Sequence, residues 1–310
     1  MRVYVAGSNG LVGSAISDAV IHRGYELITA SRTSVDLFDY TATLSFISDM
    51  KPDLVVDAAA RVGGIQANQK YPVDFLVENL RIQENLMRAS HAANISKFVF
   101  LGSSCIYPRN SPQPIKEEYL MTGTLEETNS AYAIAKIAGL ELIKSYRRQF
   151  GAKWISLMPT NIYGPKDNFN LETSHVLPAF IHRFIAAASS GDASVSLWGT
   201  GKPTREFLHV DDLARAILIA ADKYDSDTHL NVGTGSEISI KDLALLVASL
   251  SGFTGKIEWD ASKPDGTPQK VLDVSKILSL GWKPEITLKE GITSTIDWFR
   301  RATKRGEVKK

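Results

Sequence analysis

The chain has a single cysteine, Cys105, in 310 residues. One thiol cannot form an internal disulfide or a cysteine-rich metal site, and no metal centre is expected. Neither sign of charge is in excess: 35 Lys+Arg against 34 Asp+Glu leave a net charge of +1. No broad basic field is therefore available to hold nucleic acid by its phosphates. No apolar run approaches the ~20 residues of a membrane-spanning helix. The opening run Val3-Tyr4-Val5-Ala6 stops at Gly7, too soon for the core of a secretion signal. Internal repeats and low-complexity tracts are also missing. These absences describe a soluble, cytoplasmic protein with no nucleic-acid or membrane partner. What is present is ordinary globular usage, 44% hydrophobic and 22% charged. At ~150 residues per domain, the length allows about two domains, or one large α/β domain with an attached lobe.

Short apolar runs alternate with helical patterns through the first half. Strands are expected at Val3–Ala6, Glu26–Ala30, Leu54–Ala59, Phe98–Leu101 and Trp154–Met158. Helices are expected at 14–23, 41–50, 75–93 and 131–150. Such alternation implies right-handed crossovers and a parallel sheet covered on both faces. Ligands of such sheets sit outside the carboxyl ends of the strands. Beyond Asn161 the pattern changes. Residues 163–170 are crowded with Gly, Pro, Asn and Asp and read as loop. Ser194–Trp198, Leu230–Val232 and Lys256–Trp259 read as short isolated strands, with helices at 240–250 and 295–301 and a frayed charged tail at 304–310. The expected fold is α/β, a doubly wound parallel (Rossmann) sheet with a smaller C-terminal α/β substrate lobe. Residues 1–165 would form the dinucleotide-binding domain, with 205–233 returning to it. Residues 166–204 and 234–310 would form the lobe.

The first strand runs into Gly7-Ser8-Asn9-Gly10-Leu11-Val12-Gly13, with glycines spaced G-x-x-G-x-x-G. Gly7 permits the turn, Gly10 lets backbone approach a pyrophosphate, and Gly13 lets helix pack on strand. The helix N-terminus adds free N–H groups and the positive end of its dipole. The plainer reading is a turn with incidental glycines; the strand-loop-helix context favours a dinucleotide. Past the second strand stand Ser31-Arg32-Thr33, with no acid until Asp36. Arg32 suits a 2′-phosphate, which selects NADP(H) over NAD. Arg32 and Asp36 are the candidate contacts at that end of the cofactor, although a solvated arginine would look the same.

Tyr132 and Lys136 lie four apart in an alanine-rich helix and so share a face. A cation there is expected to lower the phenol below its ordinary value of about 10. Such a tyrosine can donate a proton to a carbonyl oxygen as hydride arrives from a nicotinamide. Ser103, just past the fourth strand, can bond the same oxygen. Cys105 is either a small buried hydrophobe or, beside a ketone, a base for the adjacent carbon. The second role requires its thiolate to be favoured. His175 follows the loop after the fifth strand and can reach the same pocket. His22, His91, His182 and His229 read as structural, without partners.

The glycine loop, Ser103, Tyr132 and Lys136 together resemble the extended branch of the short-chain dehydrogenase/reductase superfamily. Residues 205–212, Arg-Glu-Phe-Leu-His-Val-Asp-Asp, are similar to a segment common in that branch. Residues 58–65 (Ala-Ala-Ala-Arg-Val-Gly-Gly-Ile), 101–108 (Leu-Gly-Ser-Ser-Cys-Ile-Tyr-Pro), 132–139, 158–165 and 260–268 narrow the resemblance to the GDP-L-fucose synthase family. That resemblance implies 3,5-epimerisation and NADPH-dependent 4-reduction of GDP-4-keto-6-deoxy-D-mannose. It implies Tyr132 as proton donor, Lys136 as its partner, Ser103 on the C4 oxygen, Cys105 as base and His175 as acid. It places Leu101, Gly102, Ser104, Lys136, Pro159, Thr160, Asn161, Ile162 and His175 near the cofactor. It places Arg183, Trp198, Arg205, Asp265 and Lys270 on the GDP-sugar, and it implies a homodimer. The stretch Ser31–Val35 carries less charge than in some relatives, which leaves Arg32 as the only natural clamp for a 2′-phosphate. Two other readings remain open here: an NAD-dependent nucleotide-sugar 4-epimerase or 4,6-dehydratase, and a nonenzymatic NADP sensor on the same fold.

Overall fold

The computed structural model describes every residue except Pro264, Lys309 and Lys310. One residue of the 260–268 stretch and the end of the charged tail therefore lie outside the described residues. The chain opens with β1 (Arg2–Ala6), α1 (Leu11–His22), β2 (Glu26–Thr29), α2 (Tyr40–Met50) and β3 (Leu54–Asp57). A short α3 (Ile65–Lys70) precedes α4 (Pro72–Ala92), β4 (Lys97–Leu101), α5 (Ser130–Phe150) and β5 (Ile155–Pro159). Then follow β6 (Asn161–Tyr163), α6 (Val176–Ser190), β7 (Ser194–Trp198), β8 (Thr204–Arg205), β9 (Phe207–His209) and α7 (Val210–Lys223). The chain finishes with β10 (Leu230–Val232), β11 (Ile238–Ser239), α8 (Ile240–Ser251), β12 (Lys256–Asp260), α9 (Ser275–Ser279) and α10 (Leu288–Lys304).

Six parallel strands form the main sheet in the order β2-β1-β3-β4-β5-β10. From β1 the chain crosses to β2 on one side, then returns to lay β3 on the other side of β1. That reversal opens a crevice above the carboxyl ends of β1 and β3, where doubly wound sheets bind ligands. The sheet is buried on both faces, so its strands are nearly continuous apolar runs. Helices α1 and α7 pack together on one face; α2, α4 and α5 form a row on the other. Leu230–Val232 is not an isolated strand, as its sequence suggested, but the edge strand beside β5. Three residues carry too little periodicity to reveal a partner more than 70 positions away.

The second lobe has its own core, built from Phe169, Phe180, Phe184, Val247, Ile292 and Phe299 under α6, α8 and α10. Strands β7 and β12 are not isolated either, because they pair with each other in parallel. Helix α10 begins two turns earlier than residue 295. Thr287 and Glu290 form a capping box that satisfies the free N–H groups of its first turn. Two buried acids strap this lobe to the sheet. Glu206 accepts from the backbone N–H groups of Thr234 (2.5 Å), Gly235 (2.7 Å) and Leu272 (2.9 Å). Asp212 accepts from Glu285 and Ile286 N–H and from Arg215. Removing either carboxylate would leave several buried donors unpaired, each costing ~1–3 kcal/mol.

Candidate active site

The glycine loop lies at the crevice, and each glycine has a separate reason. Gly7 has φ +78°, and a side chain there would press on Ala58 and Ala59 behind β3. At Gly13 a Cβ would overlap the backbone of Gly7 and Ser8. At Gly10 a Cβ would meet nothing closer than Gly7 O at 3.4 Å, and the backbone is ordinary extended chain, φ −83° and ψ 174°. The open side of Gly10 is thus free for a ligand. It caps α1 with no side-chain hydrogen bond and with no acid in the first turn, so the first N–H groups of the helix remain available. Past β2, Ser31, Thr33 and Ser34 form a hydroxyl knot (Ser31 Oγ to Thr33 Oγ1, 2.7 Å) beside the exposed Arg32. Among the described residues no carboxylate pairs with Arg32. The set fits a dinucleotide with an extra phosphate. Asp36 has a turn to hold, its Oδ1 accepting from Phe38 N–H at 2.9 Å.

At the carboxyl end of β4, Ser103 caps the 3₁₀ turn Ser104–Ile106 and accepts from Cys105 N–H at 3.2 Å. Its hydroxyl also reaches the Tyr132 phenol from α5 as a hydrogen-bond donor. Tyr132 meets the Phe75 ring edge-on at 6.4 Å. Lys136 is buried, its Nζ 6.0 Å from the Tyr132 ring centre, and donates to Leu101 O at 2.9 Å. The expectation that Lys136 lowers the Tyr132 phenol is corrected here. Burial raises it, the neighbouring Cys105 adds to the rise, and only the Ser103 hydrogen bond opposes it. The phenol therefore stays protonated across neutral pH, which is the form that can donate. Gly102 is explained by packing, because a Cβ would strike the Met158 thioether. Pro159, Thr160 and Asn161 continue β5 into β6 beside this layer. Thr160 and Asn161 side chains both donate to Glu206 O, and Ile162 pairs with Leu208.

Lys270 brings its Nζ to 3.6 Å from Cys105 Sγ, across 165 residues of sequence. Its segment was expected in the C-terminal lobe, but the following residues Leu272, Val274, Ile277 and Trp282 pack into the core of the main sheet, with Leu272 bridged to Ile115. His175 caps α6 in the concave cleft and keeps solvent access. The surrounding protein and the Lys270 cation together hold its imidazole below the ordinary value. Arg205 is held down by burial, while Cys105, Glu126 and Asp265 pull it back up. Ser103, Cys105, Tyr132, Lys136, His175, Arg205 and Lys270 thus face one cleft. Trp198 presents a half-exposed indole with Lys263 5.4 Å over its ring. Arg183 reaches Ser196 O at 3.3 Å. Asp265 is less free than its sequence suggested. Its two oxygens accept from Thr200 N–H (2.7 Å) and Thr200 Oγ1 (2.8 Å) and lock the turn beside Trp198.

Residues 3–233 match the NAD dependent epimerase/dehydratase family. The chain is 51% identical over 300 residues to the probable GDP-L-fucose synthase 1 of Oryza sativa subsp. japonica, covering 96% of this chain and 92% of the relative. It is 47% identical to the GDP-L-fucose synthase of Escherichia coli (strain K12), covering 96% of each. The chain belongs to the GDP-L-fucose synthase family. Among solved structures, a GDP-mannoheptose C4 reductase from Campylobacter jejuni with NADP bound superposes with a TM-score of 0.88 at 37% identity, covering 96% of this chain and 98% of that one.

Some residues that matter in this fold carry no mark in the sequence alone. Phe75 was placed on a helix but not against Tyr132. Glu206 was quoted within a segment, with no sign that it ties two lobes. Asp57 puts an acid into the otherwise apolar run Leu54-Val55-Val56-Asp57-Ala58, which is the one sign of it that the sequence carries. His182 and His229 do have partners, Phe169 O at 2.7 Å and Tyr107 Oη at 2.8 Å. The enclosed space beside Cys105 and Lys270 is only about 30 Å³. A larger groove of about 470 Å³ lies between α8 and β12, shares no lining residue with this cleft and is lined by one charged side chain, Lys241. Chemistry rather than cavity size marks the site.

Proposed function

We propose that the chain converts GDP-4-keto-6-deoxy-D-mannose to GDP-L-fucose, inverting C3 and C5 and then reducing the C4 ketone with NADPH. The convergence of Ser103, Cys105, Tyr132, Lys136 and Lys270 on one cleft, from segments far apart in sequence, carries this reading. Both inverted carbons flank the ketone, so removal of either proton gives a stabilised enolate. Cys105 as thiolate takes each proton, with the Lys270 ammonium as its counter-charge. His175 returns a proton to the opposite face. NADPH, when bound, supplies hydride to C4. Tyr132 gives its proton to the C4 oxygen, Ser103 donates a hydrogen bond to that oxygen, and Lys136 balances the phenolate left behind. Arg183 and Arg205 suit the diphosphate, Trp198 a flat base, and the Asp265 turn holds that wall in place. Arg32 with no carboxylate partner favours NADPH over NADH and argues against an NAD-holding 4-epimerase or dehydratase.

Val73, Val77 and Ile134 expose apolar surface on the outer faces of α4 and α5. A second copy pairing these two helices across a two-fold axis would make the homodimer. No helix among the described residues is long and apolar enough to cross a membrane, and a cytoplasmic setting fits a nucleotide-sugar substrate.

The test mixes purified protein with GDP-4-keto-6-deoxy-D-mannose and NADPH, follows nicotinamide absorbance and identifies the sugar. Oxidation with GDP-L-fucose formed is expected, and Tyr132→Phe should slow it by ~10²–10⁴ while cofactor binding persists. A reduced sugar without inversion would discard the Cys105–His175 assignment. No oxidation by a protein that binds cofactor would overturn the reading.

A further inference from the structure

Asp57 ends β3 at the crevice and is almost fully buried. In register it stands beside Ala6 of β1 and Phe100 of β4, so its side chain projects from the same sheet face as that of Phe100. Lys136 Nζ lies over that face, 4.9 Å from the centre of the Phe100 ring. One carboxylate oxygen accepts from Ala59 N–H at 3.2 Å; the other is buried with no hydrogen-bond partner among the described residues. A buried carboxylate with a free oxygen is costly unless a cation compensates it. Among the described residues, Lys136 is the one cation that acts on it, and Asp57 is in turn the one charge that opposes the desolvation of Lys136. The other ionisable groups facing Asp57 are Tyr4 from β1 and Tyr132 from α5. Phe100 and Gln83, which meet beside Gly139 in this layer, carry no charge.

We propose that Asp57 is a positioning residue for the reduction: its buried carboxylate keeps Lys136 in the ammonium form beneath Tyr132, without touching substrate. The inference rests on the reading that Lys136 serves Tyr132 and the cofactor. Burial lifts the Asp57 carboxyl to about 6, so it is largely ionised at neutral pH and protonates in mild acid. Burial alone pulls Lys136 below its ordinary value, and the Asp57 charge pushes back. Without that charge the ammonium loses its proton at lower pH. The phenolate left on Tyr132 then has no counter-charge, and catalysis slows.

The experiment compares wild type with Asp57→Asn, of equal size, and with Asp57→Leu in case the amide variant folds poorly. NADPH affinity is measured from pH 6 to 10 by nicotinamide fluorescence, and kcat and KM for the ketosugar over the same range. The alkaline fall in NADPH affinity should move to lower pH by about one unit in both variants. At pH 8, kcat should fall at least tenfold with little change in KM, and Asp57→Glu should restore part of it. In a Lys136→Met background, Asp57→Asn should have no further effect on either limb. A folded Asp57→Asn protein with the wild-type alkaline limb would overturn the proposal, as would a shift that persists without Lys136. Failure of wild type to bind NADPH at any pH is a distinct result, because it removes the functional reading itself and the role of Asp57 with it.

Discussion

Gly10→Ala separates a phosphate-binding loop from a mere turn. The backbone at Gly10 is extended, so alanine can adopt it, and the new methyl touches only Gly7 O at 3.4 Å. Stability should therefore change by less than ~1 kcal/mol. The chain-entropy gain of ~0.4–1 kcal/mol for Gly→Ala is offset by the poorer capping of alanine. The methyl nevertheless fills the face that a pyrophosphate must approach to reach the N–H groups opening α1. Displacing it forfeits at least one charge-assisted hydrogen bond of ~1.5–3 kcal/mol, about 10- to 100-fold in NADPH dissociation constant. Fluorescence titration with NADPH reads the affinity, and a thermal melt reads the fold. Gly13→Ala is the control of opposite sign: its methyl collides with rigid backbone at Gly7, so it should destabilise the apoprotein itself. Wild-type affinity in Gly10→Ala would refute the placement of phosphate over this glycine. A collapsed melt in Gly10→Ala would refute the reasoning about its open side.

Arg32→Ala should erase most of the preference for NADPH over NADH, a ~10- to 100-fold change in the ratio of dissociation constants, while NADH binding itself is unchanged. Cys105→Ser should leave NADPH oxidation on the unepimerised ketone but stop solvent deuterium from entering C3 and C5; normal deuterium incorporation would remove Cys105 as the base. His229 is buried against Tyr107, and burial lowers its imidazole from 6.5 to about 3. The unfolded chain therefore binds a proton that the folded chain does not. Stability from this residue is complete above pH 6.5 and declines as pH falls toward 3, by a total of about 5 kcal/mol. Denaturant titrations of wild type and His229→Gln across that window should converge at low pH; parallel curves would contradict the burial account.

What could be seen in the sequence was local. The first strand, glycine loop and helix succeed one another within 22 residues, and Tyr132 and Lys136 are four apart on one helix, so periodicity and spacing exposed both. What stayed hidden was set by distant partners. Leu230–Val232 is a main-sheet strand only because β5 lies beside it. Lys270 meets Cys105 across 165 residues, and no spacing rule joins them. The phenol of Tyr132 was judged from a neighbouring charge, while its ionisation is governed by desolvation, which depends on the packing of Phe75 and Ser103 from other elements. Asp57 was legible as an oddity, but its significance depends on Phe100 and Lys136 arriving on the same face.

The edge strand β10 also constrains the order in which the protein can be completed. Strands β1 to β5 emerge from the ribosome within the first 159 residues, yet the sheet gains its last strand only at residues 230–232. In between, the chain must leave the sheet, lay down α6 and β7, and come back through β9 and α7. Until then the flank of β5 is an open row of backbone donors and acceptors, the kind of edge on which nascent chains pair with one another. Slowing synthesis between residues 160 and 230 should raise aggregation, and supplying residues 200–235 early, in a circular permutant, should lower it.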